Sequence, residues 1–435
     1  MLEFLSQISM KSRLASHSPA KFLVFFMLLY LASHSRLEAQ LKPGQYLEES
    51  PLGSWNQFGI DSAATLGTGL SQLTLSRNNQ IILSNPALLS SLKSGSLTIN
   101  SGFNQTQLSK FWLVNTGVIS TDSNLTYRGF ELNYLGFNYN SGQYSLGLAW
   151  AQTENYSRPS IDYHYIENDT LYDQLRLRQA GQLDVLGLAL ARKFKTKLSL
   201  GFSLMFLSGK INRELQEGWP PDGIYMTDNR QQKITGFYPV FGLGYLINSR
   251  LSLGLSFIPP HQRKIKGQSL LRYTSDEADI AIEGEADDRA RMPLVMGAGI
   301  RYKLKENLNL FFESRYFAWD HYSYSYFGED QSRDFRRIFE LGAGLEYQTQ
   351  ARFLGKRWIT PYYVGFKIDP QPMTDISSTY YYLTFGSGFG NDSFVLSFST
   401  AIGFEHGSGY NLKNQKIAVT LDIYPKEIFK PKARR

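Results

Sequence analysis

LSLGFSLMFLSG, residues 198–209, is the stretch on which the fold of this 435-residue chain turns. Leu198, Leu200, Phe202, Leu204 and Phe206 take every second position, with Ser199, Gly201 and Ser203 between them. A strand sends successive side chains to opposite faces, so this stretch has one large apolar face and one small, partly polar face. In a soluble sheet the apolar face turns to the core, and in a membrane barrel it turns out to lipid. One strand fits both arrangements; the rest of the chain separates them.

From residue 95 onward about fourteen segments read as strands, most near the ten residues that a tilted membrane-crossing strand needs. They begin with GSLTINSGF (95–103), GFELNYLGFNYN (129–140) and QYSLGLAWAQT (143–153), and end with SFVLSFSTAIGFEH (393–406) and KIAVTLDIYP (416–425). Their connectors fall into two sets. NSGQ (140–143), FKTK (194–197), INSR (247–250), LKEN (304–307) and GND (390–392) are tight and rich in turn residues. Residues 104–128, 154–179, 209–233, 259–291 and 319–336 form long connectors, read as loops. Short and long alternate, as they do in an outer-membrane barrel with short periplasmic turns and long outer loops. Only the connector at 348–356 breaks the alternation mildly. The expected fold is therefore all-β: a transmembrane antiparallel β-barrel of fourteen strands, with the apolar face of residues 198–206 outward. Trp150, Tyr156, Tyr316, Trp319, Tyr322 and Tyr324 lie near strand ends, where an aromatic girdle belongs.

Composition agrees with this reading. Mean hydropathy is −0.28, which excludes a bundle of membrane helices, while aromatic residues make up 14% of the chain, with 27 Tyr and 29 Phe. The continuous apolar run FLVFFMLLYLA (22–32) follows Lys11, Arg13 and Lys21 and is too short to span a bilayer. It reads as a secretory signal over residues 1–39, cleaved after Ala39. Cysteine is absent, as suits a large closed barrel whose backbone pairing replaces disulfides. The formal charge of +7 is scattered rather than clustered, so nucleic acid is not an expected partner. Residues 40–94 lack clean alternation and are too long for an idle tail, so they are read as a plug in the lumen of a barrel over 95–425. A basic tail, 426–435, follows.

Several stretches resemble the FadL/TodX-type outer-membrane transporters of long-chain fatty acids and other hydrophobic compounds. Asn85-Pro86-Ala87 matches the signature of that family's N-terminal hatch. GLGYLINSRLSLGLSFIPPHQRKIKG (242–267) resembles its sixth and seventh strands, with Pro259 ending the seventh. MPLVMGAGIRYKLKENLNLFFESRYFAW (292–319) resembles the next hairpin, and YYVGFKIDPQP with LTFGSGFG the late strands. The resemblance implies a monomeric conduit in the bacterial outer membrane. It takes a hydrophobic ligand, a fatty acid or hydrocarbon, and releases it by plug movement or through the wall, where the family kinks strand three. A shuttle for protein secretion and a general porin are the alternatives that fold alone leaves open.

Catalytic chemistry finds little support in the residues, and neither a cofactor nor a metal is expected. Asp320-His321 is better explained as an exposed loop pair than as part of a triad. The acidic stretch 275–288 lacks the spacing of a calcium loop. Inward parity is more informative. Arg301, Arg315 and Lys367 are candidates to orient an anionic headgroup, and Glu313, Glu340 and Glu346 complete a charge lattice with them. That lattice reads first as bracing for the wall and plug.

Overall fold

Strands that carry lipid-facing side chains on one face and small ones on the other bury every backbone polar group only if the sheet closes on itself. The computed structural model shows that closure. It describes residues 61–425, excepting 76, 108–118, 121–125, 158–160, 168, 327–328, 332–334, 354–355, 375–377 and 408–412; the expected leader, residues 40–60 and the basic tail lie outside the described residues. Fourteen antiparallel strands form the ring. The first seven are β1 Ser96–Gln107, β2 Thr126–Ser141, β3 Tyr144–Asn155, β4 Thr170–Phe194, β5 Leu198–Trp219, β6 Ile224–Leu246 and β7 Leu251–Ile258. The others are β8 Val295–Lys305, β9 Leu308–Phe317, β10 Ile338–Phe353, β11 Lys356–Pro370, β12 Thr379–Gly390, β13 Phe394–His406 and β14 Lys413–Ile423. Each pairs with its neighbour, and β14 closes on β1 from Leu97 opposite Ile423 to Thr106 opposite Asn414.

The parity of the opening stretch is settled on β5. Leu200, Phe202 and Phe206 are each about two-fifths exposed, while Ser199, Ser203 and Met205 are buried. The same outward belt continues through Leu186, Leu188 and Leu190 on β4, Phe237 and Phe241 on β6, and Leu383 and Phe385 on β12. A continuous apolar ring of this extent is far larger than the patches soluble monomers expose, and it is the surface a bilayer covers.

Where the sequence expects long loops, the strands instead run on. β4 has 25 residues, β5 22 and β6 23, so 209–233 is a continuation of the β5–β6 hairpin rather than a loop. Residues 259–291 fold as a second hairpin, His261–Thr274 against Asp279–Met292, and Ser323–Tyr326 pairs with Glu329–Gln331 within 319–336. Ile119–Ser120 and Ile161–Glu167 add a small ladder above β3. The connector at 348–356 is mostly strand: β10 and β11 stay paired to Phe353 opposite Lys356, so only two residues separate them and the alternation is restored.

The girdle needs a similar correction. Trp150 and Tyr316 lie on the outward parity, half-buried, with Tyr316 beside the exposed Phe339 at 5.0 Å. Tyr156, Trp319 and Tyr322 are buried inside, and Tyr324 packs against the same interior cluster. Strand-end aromatics serve both surfaces of a barrel, and chain position alone does not separate a lipid anchor from a lumenal one.

Residues 61–94 fill the lumen. A short helix, Ala63–Gly67, is capped by Ser62, and 3-10 turns at Asn79–Leu83 and Pro86–Ser91 follow. Almost all of this segment is buried, and it is held to the wall around the ring. The Ala63 amide donates to Thr420 on β14 (2.7 Å), Thr384 on β12 donates to the Gly67 carbonyl (2.9 Å), and Ser203 on β5 donates to the Ile82 carbonyl (2.8 Å). The small inward residues of the opening stretch now have their reason. A Cβ on Gly201 would run into the backbone of Pro86 and Ala87, and one on Gly242 into the Asn85 side chain.

Candidate functional site

Two chemically distinct zones line the lumen, one locked to the plug and one above it. The first is ionic. Glu313 on β9 accepts from the Leu73 amide of the plug (2.8 Å) and pairs with Arg315 (3.0 Å). Arg315 reaches Glu340 on β10 at 3.9 Å, and Glu340 in turn holds Lys367 of β11 at 2.5 Å, with Asp369 3.6 Å from the same ammonium. Nearer the tight turns, Glu346 grips Arg77 of the plug at 2.5 Å and accepts from Asn309 at 3.0 Å. Arg301 lies beside that pair, with its Nε buried and without a partner.

The structure thus places all six sequence-selected charges on the lumenal face. Arg315, Lys367, Glu313 and Glu340 are joined in one chain of contacts, and Arg301 and Glu346 sit in a second group. Arg77, which completes the second group, carries no periodic signal and escapes a reading by strand parity. Asn85, Pro86 and Ala87 are fully internal. The Asn85 amide donates to Leu73 within the plug (2.9 Å) and to Leu243 on β6 (3.1 Å), tying the turn to the wall, while Pro86 starts the 3-10 turn where its missing N–H is not needed.

The second zone is apolar and lies above the plug, against β3–β9 and the 261–292 hairpin. Leu183, Val185, Met205, Leu207, Tyr238, Val240, Ile258, Phe317 and Trp319 form one buried cluster with Ile81, Ile82 and Leu89 of the plug. A small cavity of about 40 Å³ lies between plug and wall, lined among others by Leu73, Leu83, Tyr238, Ile258, Val295 and Phe317. A cavity of roughly 150 Å³ is known to hold a benzene ring, so this one is too small for such a ring. A wider basin of about 960 Å³ opens between the outer extensions of β4–β6 and the 261–292 hairpin, and its lining is polar, including Arg178, Asn212 and Glu283.

β3 breaks the wall beside the apolar zone. Its exposure alternates from Tyr144 to Trp150, after which Ala151 to Asn155 are all buried. The register against β4 slips between Gln152 and Glu154. Among the described residues the β2–β3 ladder stops at Tyr134 opposite Ala151, although β2 continues to Thr126 against β1. Phe130 and Leu132, exposed and apolar, flank the unpaired stretch, and the Asn155 amide reaches across it to Glu131. A bulge bends a strand and ends its pairing. Here it turns Glu154 inward, where it accepts from Arg263 (2.7 Å) and from Tyr156 (2.9 Å). The sequence did carry a signal for this: Gln152 and Glu154 share the lipid-facing parity of Leu146 and Leu148, which polar residues there cannot keep.

The barrel as a whole has counterparts among solved structures. A monoaromatic hydrocarbon channel, CymD, superposes with a TM-score of 0.56 at 15% identity, over 84% of this chain and 96% of that one. The toluene transporter TbuX of Ralstonia pickettii gives 0.57 at 15%, over 85% and 98%. A FadL homologue of Pseudomonas aeruginosa gives 0.57 at 11%, over 84% and 99%. No protein-family model and no curated protein matches the chain. At these identities the likeness bears on the fold alone, the closed fourteen-stranded barrel described above. Among the described residues no group of three or more His, Asp or Glu could hold a metal ion.

Proposed function

We propose that this protein is a passive conduit for hydrophobic molecules across a bacterial outer membrane, with long-chain fatty acids and aromatic hydrocarbons as the candidate cargo. The observation that carries the proposal is the break in β3. It puts an unpaired stretch of wall, flanked by Phe130 and Leu132, beside an apolar lumenal cluster that stands above a fully seated plug. Cargo entering from the outer side would rest against that cluster and leave sideways into lipid, without crossing the plug. Burying a chain of about sixteen carbons at roughly 0.8 kcal/mol per methylene supplies on the order of 10 kcal/mol before entropy costs, so affinity needs little polar help.

In this reading residues 1–39 are a cleaved leader and 40–94 the plug. Arg315 and Lys367 serve chiefly as braces, since both already face carboxylates, and Arg301, with an unpartnered Nε, is the headgroup candidate left in the lattice. Deleting 40–94 while keeping the leader is expected to raise single-channel conductance in planar bilayers severalfold. Unchanged conductance would place the segment outside the conducting path. Binding of palmitate or toluene to the purified barrel, followed by native mass spectrometry, tests the cargo class directly; a barrel that takes up neither overturns the proposal.

A further inference from the structure

The apolar zone contains one ion pair that neither bracing nor plug-holding explains. Arg263 and Glu154 are almost wholly buried, with side-chain exposures of 3% and 4%, inside the aromatic part of the cluster. Glu154 is well used: one oxygen accepts from Arg263 Nη2 at 2.7 Å and the other from the Tyr156 hydroxyl at 2.9 Å. Arg263 is not. Its Nε and Nη1 are buried and have no partner. Two residues earlier on the same face, His261 stacks on Tyr238 at 4.5 Å and 21°, places Nδ1 3.2 Å from the Pro259 carbonyl, and leaves Nε2 buried without a partner. With Nδ1–H donating to that carbonyl, Nε2 is an acceptor.

Buried donors left unmet are costly, and a guanidinium fixed through one nitrogen presents the others at a set angle. Glu154 already balances the charge of Arg263. A carboxylate arriving here would leave a net negative charge in an apolar enclosure, whereas a neutral oxygen would meet the donors and add no charge. A hydroxyl has, in addition, a proton for an acceptor of the His261 type.

We infer that Arg263 and His261 form a polar anchor within the apolar zone that selects neutral, oxygen-bearing hydrophobic molecules, such as phenols and alcohols, over bare hydrocarbons and carboxylate anions. The inference rests on the conduit reading above and sharpens its cargo. The ring or chain of such a molecule would lie against Tyr156, Tyr238, Phe317 and Trp319, with its oxygen at the guanidinium.

The test compares three ring compounds, 4-methylphenol, toluene and benzoate, by titration calorimetry on the full-length protein in nanodiscs. 4-Methylphenol is expected to bind about tenfold or more tightly than either of the others, the usual scale for a hydrogen bond to a charged donor. The paired variant Glu154→Gln/Arg263→Met, which leaves no unbalanced charge, is expected to lose that preference and keep its affinity for toluene. Equal binding of 4-methylphenol and toluene in the native protein, tightest binding of benzoate, or a preference that survives in the folded variant would each overturn the anchor. Should the variant not fold, the ranking in the native protein decides alone. Toluene binding without discrimination leaves the conduit reading standing, whereas failure of all three compounds to bind removes both.

Discussion

The wall of this barrel is built in two ways. Across β8–β12 the lumenal face is ionic, and the Glu313–Arg315–Glu340–Lys367 chain links three strands to each other, with Glu313 and Glu346 also gripping the plug. Across β2–β7 the lumenal face is mostly apolar, and one ladder is left incomplete between β2 and β3. Ion pairs and hydrogen bonds in a dry enclosure are directional and hard to rearrange, since each partner depends on the other. Apolar contacts tolerate sliding and exchange. Both halves hold the plug by hydrogen bonds, but the ionic attachments lie on one side and the breach on the other.

The largest expected effect breaks that division at the breach. Leu132 and Thr153 would be the second opposed pair if the β2–β3 register continued past Tyr134 and Ala151. The chain has no native cysteine, so Leu132→Cys/Thr153→Cys bridged by a short bis-maleimide staples only this seam. Uptake of a radiolabelled fatty acid or hydrocarbon by whole cells is expected to fall to the level of cells lacking the protein, while the unbridged variant stays near native. Undiminished uptake after cross-linking would move the exit from the wall to the plug.

A smaller effect is expected on the ionic side. Glu340→Ala removes the carboxylate shared by Arg315 and Lys367 and leaves two buried cations short of a partner. The expected cost is about 3–5 kcal/mol, the usual penalty for breaking a buried pair. Urea titration of the purified barrel, read by the folded and unfolded gel bands, measures it. If stability is unchanged, the lattice is not what stiffens this half.

The smallest effect belongs to neither half. At the tip of the 261–292 hairpin, Arg272 donates to Asp279 at 2.6 Å in full solvent and holds its carboxyl below the usual range. Arg272→Ala is expected to leave unfolding at pH 7 unchanged, because exposed pairs are screened and contribute little. Asp279 is depressed in the folded state, so any contribution is present above the ordinary carboxylate pKa and is lost only as pH falls through the depressed value. A measurable loss at pH 7 would show that the tip takes part in the packing beneath it.

How much of this was legible in the sequence depends on what each residue faces. All fourteen ring strands can be placed from alternation, because lipid on one side and a small-residue lumen on the other imprint period two directly on the chain. Outside the belt both faces of a strand meet water, and in KINRELQEGW (210–219) the alternation disappears although β5 continues to Trp219. The extensions of β4–β6 therefore look like loops in the sequence. The same loss hides Arg263, which sits in a stretch without clean alternation, while parity alone marks Arg315 and Lys367. The bend in β3 was readable only as a contradiction, two polar residues on a greasy parity, and a contradiction does not say how the chain resolves it.

Under the proposed conduit, the long outer strands would also set where a sparingly soluble molecule first meets this protein. β4 has 25 residues, which at roughly 3.3 Å each is about 80 Å of strand. At the usual tilt of about 45° that spans about 60 Å along the membrane normal, against an apolar band about 25 Å tall. More than half of that strand's span thus lies beyond the hydrocarbon. Under the proposed conduit, the first encounter with cargo would therefore take place tens of ångströms from the lipid, against the outer extensions of these strands.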